Sequence, residues 1–379
     1  MIYQKHDSFA GVRHQAPLPD VLGRIRTVQK HLAEFELSPY AKSLVDKACD
    51  ELLGKAGGRD GHQPFVLHSY VIEEISRLTD AELPRYLFYR YRYETFSQRR
   101  ILDDFPPCLQ IEPTSICNYR CVFCYQTDRH FTEKNSRHMG VMSLDMFKRV
   151  VDQAEGRCEA ISLASRGEPL ICPEVDRMLD YASGKFLALK LNTNASFLDG
   201  EKSHAILQAD INTLVFSVDA VSEPEYSRLR VGGKLEHVLR NIALFRDIRA
   251  KCYPKSRTIT RVAGVRVAGT PDLDQMEEFW GGLVDQVAFV AYNPWENVYE
   301  RPPNGLTTPC SDLWRRMFVW FDGTVNPCDV DYKSTLAIGY AAERSLSELW
   351  QSPAYMRLRE QHVARQRSQC SPCSRCVVV

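Results

Sequence analysis

Residues 109–124 read LQIEPTSICNYRCVFC. Leu109–Glu112 is a short apolar run closed by Pro113, the text of a buried strand running into a loop. The loop carries Cys117-Asn-Tyr-Arg-Cys121-Val-Phe-Cys124. Three thiolates with three and two residues between them can wrap one iron–sulfur cube, which ordinarily takes four cysteines. The missing fourth ligand leaves one iron open to chelate the amino and carboxylate groups of a small molecule, as an open metal position does generally. A zinc site or chance spacing are the other readings of these three residues.

Outward from this loop, short apolar strands alternate with amphipathic helices. After Leu109–Glu112 the strand candidates are Ala160–Ala164, Leu187–Asn192, Thr213–Val218, Arg261–Val267 and Gln286–Val290. Between the first two, Ser143–Ala154 places Met146, Phe147, Val150, Val151 and Ala154 on one helical face and stops at Gly156. Pro173–Ser183, stopped by Gly184, and Leu235–Ile248 repeat the pattern. Repeated strand–helix units predict a parallel sheet with right-handed crossovers. Six units predict an α/β fold of the partial (β/α)6, TIM-like barrel type rather than a closed barrel of eight.

The 379 residues allow two or three domains, and the text divides near Pro106–Pro107 and at Pro302-Pro303-Asn304-Gly305. We expect a helical N-terminal region over 1–100, a barrel core over 101–300 and a small cysteine-rich domain over 301–379. Ser38 with Pro39 reads as a helix start, and Thr79 with Glu82 as a capping box. Tyr86–Phe96 interleaves aromatics with Arg90 and Arg92. Such a run can stack nucleic acid, but the simpler expectation is a helix that packs its aromatics on the core while the arginines snorkel to water. Lysines plus arginines balance aspartates plus glutamates at 48 each, so no global field draws the chain to nucleic acid or an anionic membrane. No apolar run approaches the ~20 residues of a membrane span, and MIYQKHDSFAGVRHQAPLPD lacks a signal-peptide core. A cytoplasmic placement is expected, where the thirteen cysteines stay reduced and serve metal or catalytic roles. The isolated Cys49, Cys108, Cys158, Cys172 and Cys252 are expected to be small buried hydrophobes.

The cysteine loop after a first strand resembles the signature of the radical S-adenosylmethionine (radical SAM) superfamily. That resemblance implies a [4Fe-4S] cluster on Cys117, Cys121 and Cys124 whose open iron binds S-adenosylmethionine and generates a 5′-deoxyadenosyl radical. Ser165-Arg166-Gly167-Glu168-Pro169 is similar to the family's Gly-x-Gly-Glu-Pro loop, with Ser165 where glycine is usual. Gly167 and Glu168 are thereby implied to receive the methionine ammonium, Glu168 by a charge-assisted hydrogen bond. Asn192-Thr193-Asn194 and Ser217-Val-Asp219 resemble the family's third and fourth strand ends. The resemblance implies ribose contacts from Asn194, Ser217 and Asp219, a cation near the methionine carboxylate from Arg230, and an adenine neighbour in Phe123. A flavodoxin- or ferredoxin-type reductant is implied as partner.

A second cysteine set begins with Cys310 and Cys328, which flank Phe318-Val-Trp-Phe-Asp322-Gly323, a strand entering a hairpin. It resumes at Cys370-Ser-Pro-Cys373-Ser-Arg-Cys376. Four soft ligands delivered to one point read as zinc or an iron–sulfur cluster. The set resembles the family's SPASM and shorter twitch extensions, with five cysteines where the full extension has seven. One auxiliary [4Fe-4S] cluster is thus implied on Cys310, Cys328 and two of Cys370, Cys373 and Cys376, and spacing leaves open which is spare. Within the family, single-cluster extensions accompany oxidation of carbohydrate-like alcohols, which implies a small polar substrate, a sugar or aminocyclitol. Peptide maturation is the alternative; iron–sulfur electron transfer without chemistry and nucleic-acid modification are weaker ones. Asp128–His138 and Asn293–Arg301 are the segments in which a catalytic base is expected.

Overall fold

The structure, a computed structural model, describes residues 18–56, 62–133, 135–267, 272–292 and 298–379. The described N-terminal residues form helices α1 (Leu18–Lys30), α2 (Pro39–Leu52), α3 (Ser69–Ser76) and α4 (Leu83–Tyr91). Ser38 caps α2 by accepting from the Ala41 amide at 3.1 Å, and Thr79 and Glu82 exchange bonds ahead of α4, as their spacing predicts. α4 continues through a π-helical turn at Arg92–Phe96, and the chain turns at Arg100, whose φ is 57°.

Six strands follow in the predicted order: β1 (Cys108–Ile111), β2 (Ala160–Leu163), β3 (Ala188–Thr193), β4 (Thr213–Ser217), β5 (Ile259–Arg266) and β6 (Gln286–Ala291). Each pairs in parallel with the next. The crossovers carry α5 (Leu144–Ala154), α6 (Val175–Ala182), α7 (Gly200–Gln208), α8 (Leu235–Cys252) and α9 (Leu273–Trp280). Ser143 caps α5, which turns its predicted apolar face onto the sheet, burying Phe147, Val150, Val151 and Ala154 completely. This is the partial TIM-like barrel.

The sheet does not end at β1. Strand β7 (Arg316–Val319) pairs in parallel with β1, and β8 (Thr324–Asn326) and β9 (Gly339–Tyr340) extend it antiparallel. The cysteine-rich region is therefore hydrogen-bonded into the barrel sheet, and α10 (Leu346–Trp350) and α11 (Pro353–Val363) cover it. Gly323, at φ 84°, makes the turn between β7 and β8.

The N-terminal helices close the end of the barrel where the strands begin, packing on Cys108, Ala160 and Leu187. Here the snorkelling expectation fails. Arg90 and Arg92 are 4% and 3% exposed, Arg90 ion-paired with Glu94 and Arg92 with Asp103 at 2.7 Å. The four other single cysteines are buried as expected, but Cys252, at the end of α8, is exposed.

Candidate functional site

Barrel interiors are ordinarily filled by layers of branched apolar side chains. This one is polar. Strand alternation turns Leu189 and Leu191 of β3 outward onto the helices and turns Lys190 and Asn192 inward. Register sets Gln110, Ser162, Lys190 and Thr213 side by side in one layer. All four border a cavity of about 430 Å³ that runs from the N-terminal helices to the cysteine loop.

At its far end the cavity is lined by Cys117, Cys121, Cys124, Phe123, Gly167, Glu168, Asn194, Ser217 and Arg230, nine of the cofactor and cluster candidates. Local pairing explains the gathering. Arg120–Cys121 forms a two-residue antiparallel ribbon with Arg230–Val231, which seats the Arg230 guanidinium 3.7 Å from the Cys121 sulfur. Arg230 also donates to Asp219 at 2.5 Å and lies over the Phe123 ring at 5.6 Å. The loop after β2 presses directly on the cysteine loop: the Glu168 amide donates to Ile116 O at 2.9 Å, and a β-carbon on Gly167 would lie 2.3 Å from Thr114 O.

Glu168 is buried, and its carboxylate accepts from Thr193 Oγ1 and the Asn194 amide at 2.6 Å each and from the Leu170 amide at 3.1 Å. A carboxylate has about four acceptor sites, so one remains for an ammonium. Burial pushes this carboxyl above its usual range, and burial with the Glu168 charge pushes the Cys117 thiol up to about 12. An opposing cation, whether a ligand's ammonium or a cluster's iron, would relieve both costs. Ser165 holds a positive φ of 151°, a backbone that glycine adopts more readily, and its carbonyl accepts from Tyr125 Oη at 2.9 Å.

Two expectations land elsewhere. Asp219 does not border the cavity; its carboxylate is engaged by Arg230 and, at 2.6 Å, by the Val265 amide, so it positions the arginine. Nor does any described residue of Asp128–His138 border it. Asp128 is bound by Lys333 at 2.6 Å and Tyr332 Oη at 2.8 Å, which hold it below the usual carboxylate range against the penalty of its burial. Of Asn293–Arg301, residues 293–297 lie outside the described residues.

Sequence reasoning missed three groups. Arg166 is clamped on Glu112 at 2.6 and 2.7 Å, 4.2 Å over the Trp320 ring. Gln126 donates to Ser115 O at 2.8 Å and to Arg166 O at 2.5 Å, locking the two loops together. Asp329, beside Cys328, brings a carboxylate of the C-terminal region to the cavity wall. Adjacency to the cysteines was the available signal for Gln126 and Asp329.

In the C-terminal region, Cys310, Cys328, Cys373 and Cys376 line one small pocket, while Cys370 stands outside it in contact with Cys373. His362 lines the same pocket and accepts the Cys310 amide on Nδ1 at 3.1 Å. Burial and the charges of Arg367 and Arg100 push it down to about 3, so the ring is neutral. Among the described residues no three His, Cys, Asp or Glu side chains close on a single metal ion. An iron–sulfur cube, being larger, holds its thiolates farther apart, and the all-thiol donor sets at both places fit it.

Together the parallel barrel, the three-cysteine loop at its strand ends and the second thiol pocket define an iron–sulfur enzyme. Residues 111–261 match the family model of the radical SAM superfamily, and residues 310–377 match an iron–sulfur cluster-binding domain, SPASM. The chain therefore carries a radical SAM domain and, C-terminal to it, a SPASM domain, which imply a [4Fe-4S] cluster that binds S-adenosylmethionine and an auxiliary iron–sulfur cluster. The GTP 3′,8-cyclase of Desulforamulus reducens is 26% identical over 41% of this chain and 47% of its own length. The mycofactocin maturase MftC of Mycobacterium tuberculosis is 25% identical over 36% of this chain and 34% of its own. The chain thus spans less than half the length of these curated relatives. Among solved structures, BtrN in complex with AdoMet and 2-DOIA aligns over 73% of this chain and 94% of that one, with a TM-score of 0.50 and 17% identity. SuiB of Streptococcus suis bound to its precursor peptide SuiA aligns over 89% and 82%, with a TM-score of 0.53 and 14% identity. No described helix is long and apolar enough to cross a membrane.

Gly167→Ala tests the contact between the loops. The added methyl meets backbone, which cannot swing aside, so the two loops must separate. We expect a loss of about 1–3 kcal/mol in stability, as for an overpacked core, and at least tenfold weaker S-adenosylmethionine binding by equilibrium dialysis. Parent-like binding would show that the loops tolerate separation.

Proposed function

We propose that this enzyme abstracts a carbon-bound hydrogen from a small polar substrate held inside the barrel, leading to oxidation or epimerisation. The observation that carries this reading is the cavity itself, which carries polar and charged side chains from end to end, bordered at one end by the cysteine loop and closed at the other by the N-terminal helices. When bound, the cluster and S-adenosylmethionine supply the 5′-deoxyadenosyl radical. Cys117, Cys121 and Cys124 hold that cluster, Glu168 and Gly167 take the methionine ammonium, and Arg230, fixed by Asp219, faces the carboxylate. Asn194 and Ser217 line the ribose side and Phe123 the adenine side. Cys310, Cys328, Cys373 and Cys376 hold the auxiliary cluster as an electron conduit, with Cys370 the spare. Asp329, adjoining that set, is positioned to accept a substrate hydroxyl proton.

The described N-terminal residues are helical and plug the barrel, which favours a small molecule over a peptide fed through a separate recognition module. Anaerobically reconstituted protein should carry about eight irons, two four-iron clusters, and should transfer deuterium from labelled sugars or aminocyclitols into 5′-deoxyadenosine. Transfer from peptides alone would make it a peptide maturase. Four irons with bound zinc would remove the auxiliary cluster.

A further inference from the structure

Most charged groups on the barrel floor are matched. Arg90 pairs with Glu94, Arg315 with Asp312 at 3.1 Å, Arg261 approaches Glu74 at 3.8 Å, and Arg316 approaches Asp312 at 3.9 Å while donating to Tyr93 Oη at 2.8 Å. Lys190 is the exception. It projects from the middle of β3 into the cavity and has neither a hydrogen bond nor an ion pair among the described residues.

Lys190 is half-buried, and an ammonium facing a largely enclosed cavity without a counter-charge costs free energy and is retained where something compensates it. Here the surroundings add to the cost, because Arg261 and Arg316 line the same part of the cavity. Five cations, Arg90, Lys190, Arg261, Arg315 and Arg316, face the three carboxylates of Glu74, Glu94 and Asp312. The Ser162 and Thr213 positions flank Lys190 in register, offering hydroxyls at the same height. One layer above, Asn192 Oδ1 is buried with no partner among the described residues, an acceptor suited to a substrate hydroxyl.

We propose that the barrel floor binds an oxyanion of the substrate, a phosphate or carboxylate, through Lys190 supported by Arg261 and Arg316. This rests on the reading that the substrate occupies the cavity. Burial, then Arg316 and Arg261, push the Lys190 ammonium down to about 8, the direction a missing anion produces. Lys190 lies four residues before Asn194, which directly follows β3, about 13 Å away at the usual strand rise per residue. A substrate anchored there by its anion reaches the cysteine-loop end with its other terminus, which selects both its length and the carbon presented.

The test uses the full reconstituted chain titrated with inorganic phosphate and, separately, malonate, followed by calorimetry and by melting temperature. At least one probe should bind and raise the melting temperature, phosphate pointing to a phosphorylated substrate and malonate to a carboxylated one. Lys190→Met should weaken that binding at least tenfold, Lys190→Arg should largely keep it, and Lys190→Met without ligand should melt no lower than the parent, since an uncompensated charge is removed. As a check on unmodified protein, the probe should protect Lys190 from acetylation, read by mass spectrometry. Binding of neither probe, or equal binding and protection regardless of Lys190, overturns the proposal. Cleavage of S-adenosylmethionine is scored separately. A protein that binds phosphate yet makes no 5′-deoxyadenosine keeps the anion site and loses the proposed chemistry, and one that cleaves but binds neither probe does the reverse.

Discussion

Replacing Cys117, Cys121 and Cys124 together by alanine is expected to abolish formation of 5′-deoxyadenosine from S-adenosylmethionine under dithionite, a fall to background. The bound iron should drop from about eight to about four per chain, since each cube accounts for four. The effect is total because the three thiols share one loop and one end of the cavity, and no fourth cysteine borders that end in the described residues. The fold should survive: the loop is held by backbone bonds, Val122 N to Leu229 O and Cys124 N to Cys121 O at 3.0 Å each, and the sulfurs add only long contacts, from the Tyr119 amide to Cys117 at 3.5 Å and from Arg230 to Cys121 at 3.7 Å. Far-ultraviolet circular dichroism and melting near the parent value check this. Continued 5′-deoxyadenosine production by the folded variant would refute the assignment of the loop, and with it the proposed chemistry.

The largest stability effect is expected at Arg166. Its guanidinium and the Glu112 carboxylate are both essentially inaccessible, 2% and 0% exposed, with a further bond to Tyr332 O at 2.9 Å. Removing one member strands the other as a buried charge, which costs about 3–5 kcal/mol. Domains are stable by only about 5–15 kcal/mol in total, so Arg166→Met should lower the melting temperature by roughly 5–15 °C. In the double variant Glu112→Gln, Arg166→Met the stranded charge is gone, and much of that loss should return. A double variant no better than the single one would mean that the aromatic packing of Arg166 on Trp320, and not the charge pair, carries the effect.

How far each feature could be read from sequence follows from the range of the interaction behind it. The six barrel strands are apolar runs between amphipathic helices, and all six stand within a few residues of the predicted bounds because that pattern is local. The cysteine loop was legible for the same reason. Strand β7 was visible as the start of a hairpin, but its parallel partner β1 is roughly 200 residues earlier and leaves no local mark. In the run Tyr86–Phe96, identical text permits snorkelling or burial. The choice is made by Glu94, Asp103 and the tyrosines that close the barrel floor, groups that a helix pattern does not rank. Lys190 was in plain view within Ala188-Leu-Lys-Leu-Asn-Thr193, whose alternation demands a polar face. In a sheet covered by helices outside, that face has only the barrel interior to turn to.

The pairing of β7 with β1 bears on modularity. A family-model boundary near residue 310 invites treating the cysteine-rich region as a detachable appendage. Yet it supplies four consecutive partners to the strand that leads into the cysteine loop, and Phe321 N and Tyr332 O bind the Glu112–Arg166 pair at that strand's end. Cutting the chain between these units would uncover an apolar sheet edge and leave two buried charges without their backbone partners. The barrel and the cysteine-rich region are therefore expected to unfold together, as one cooperative unit.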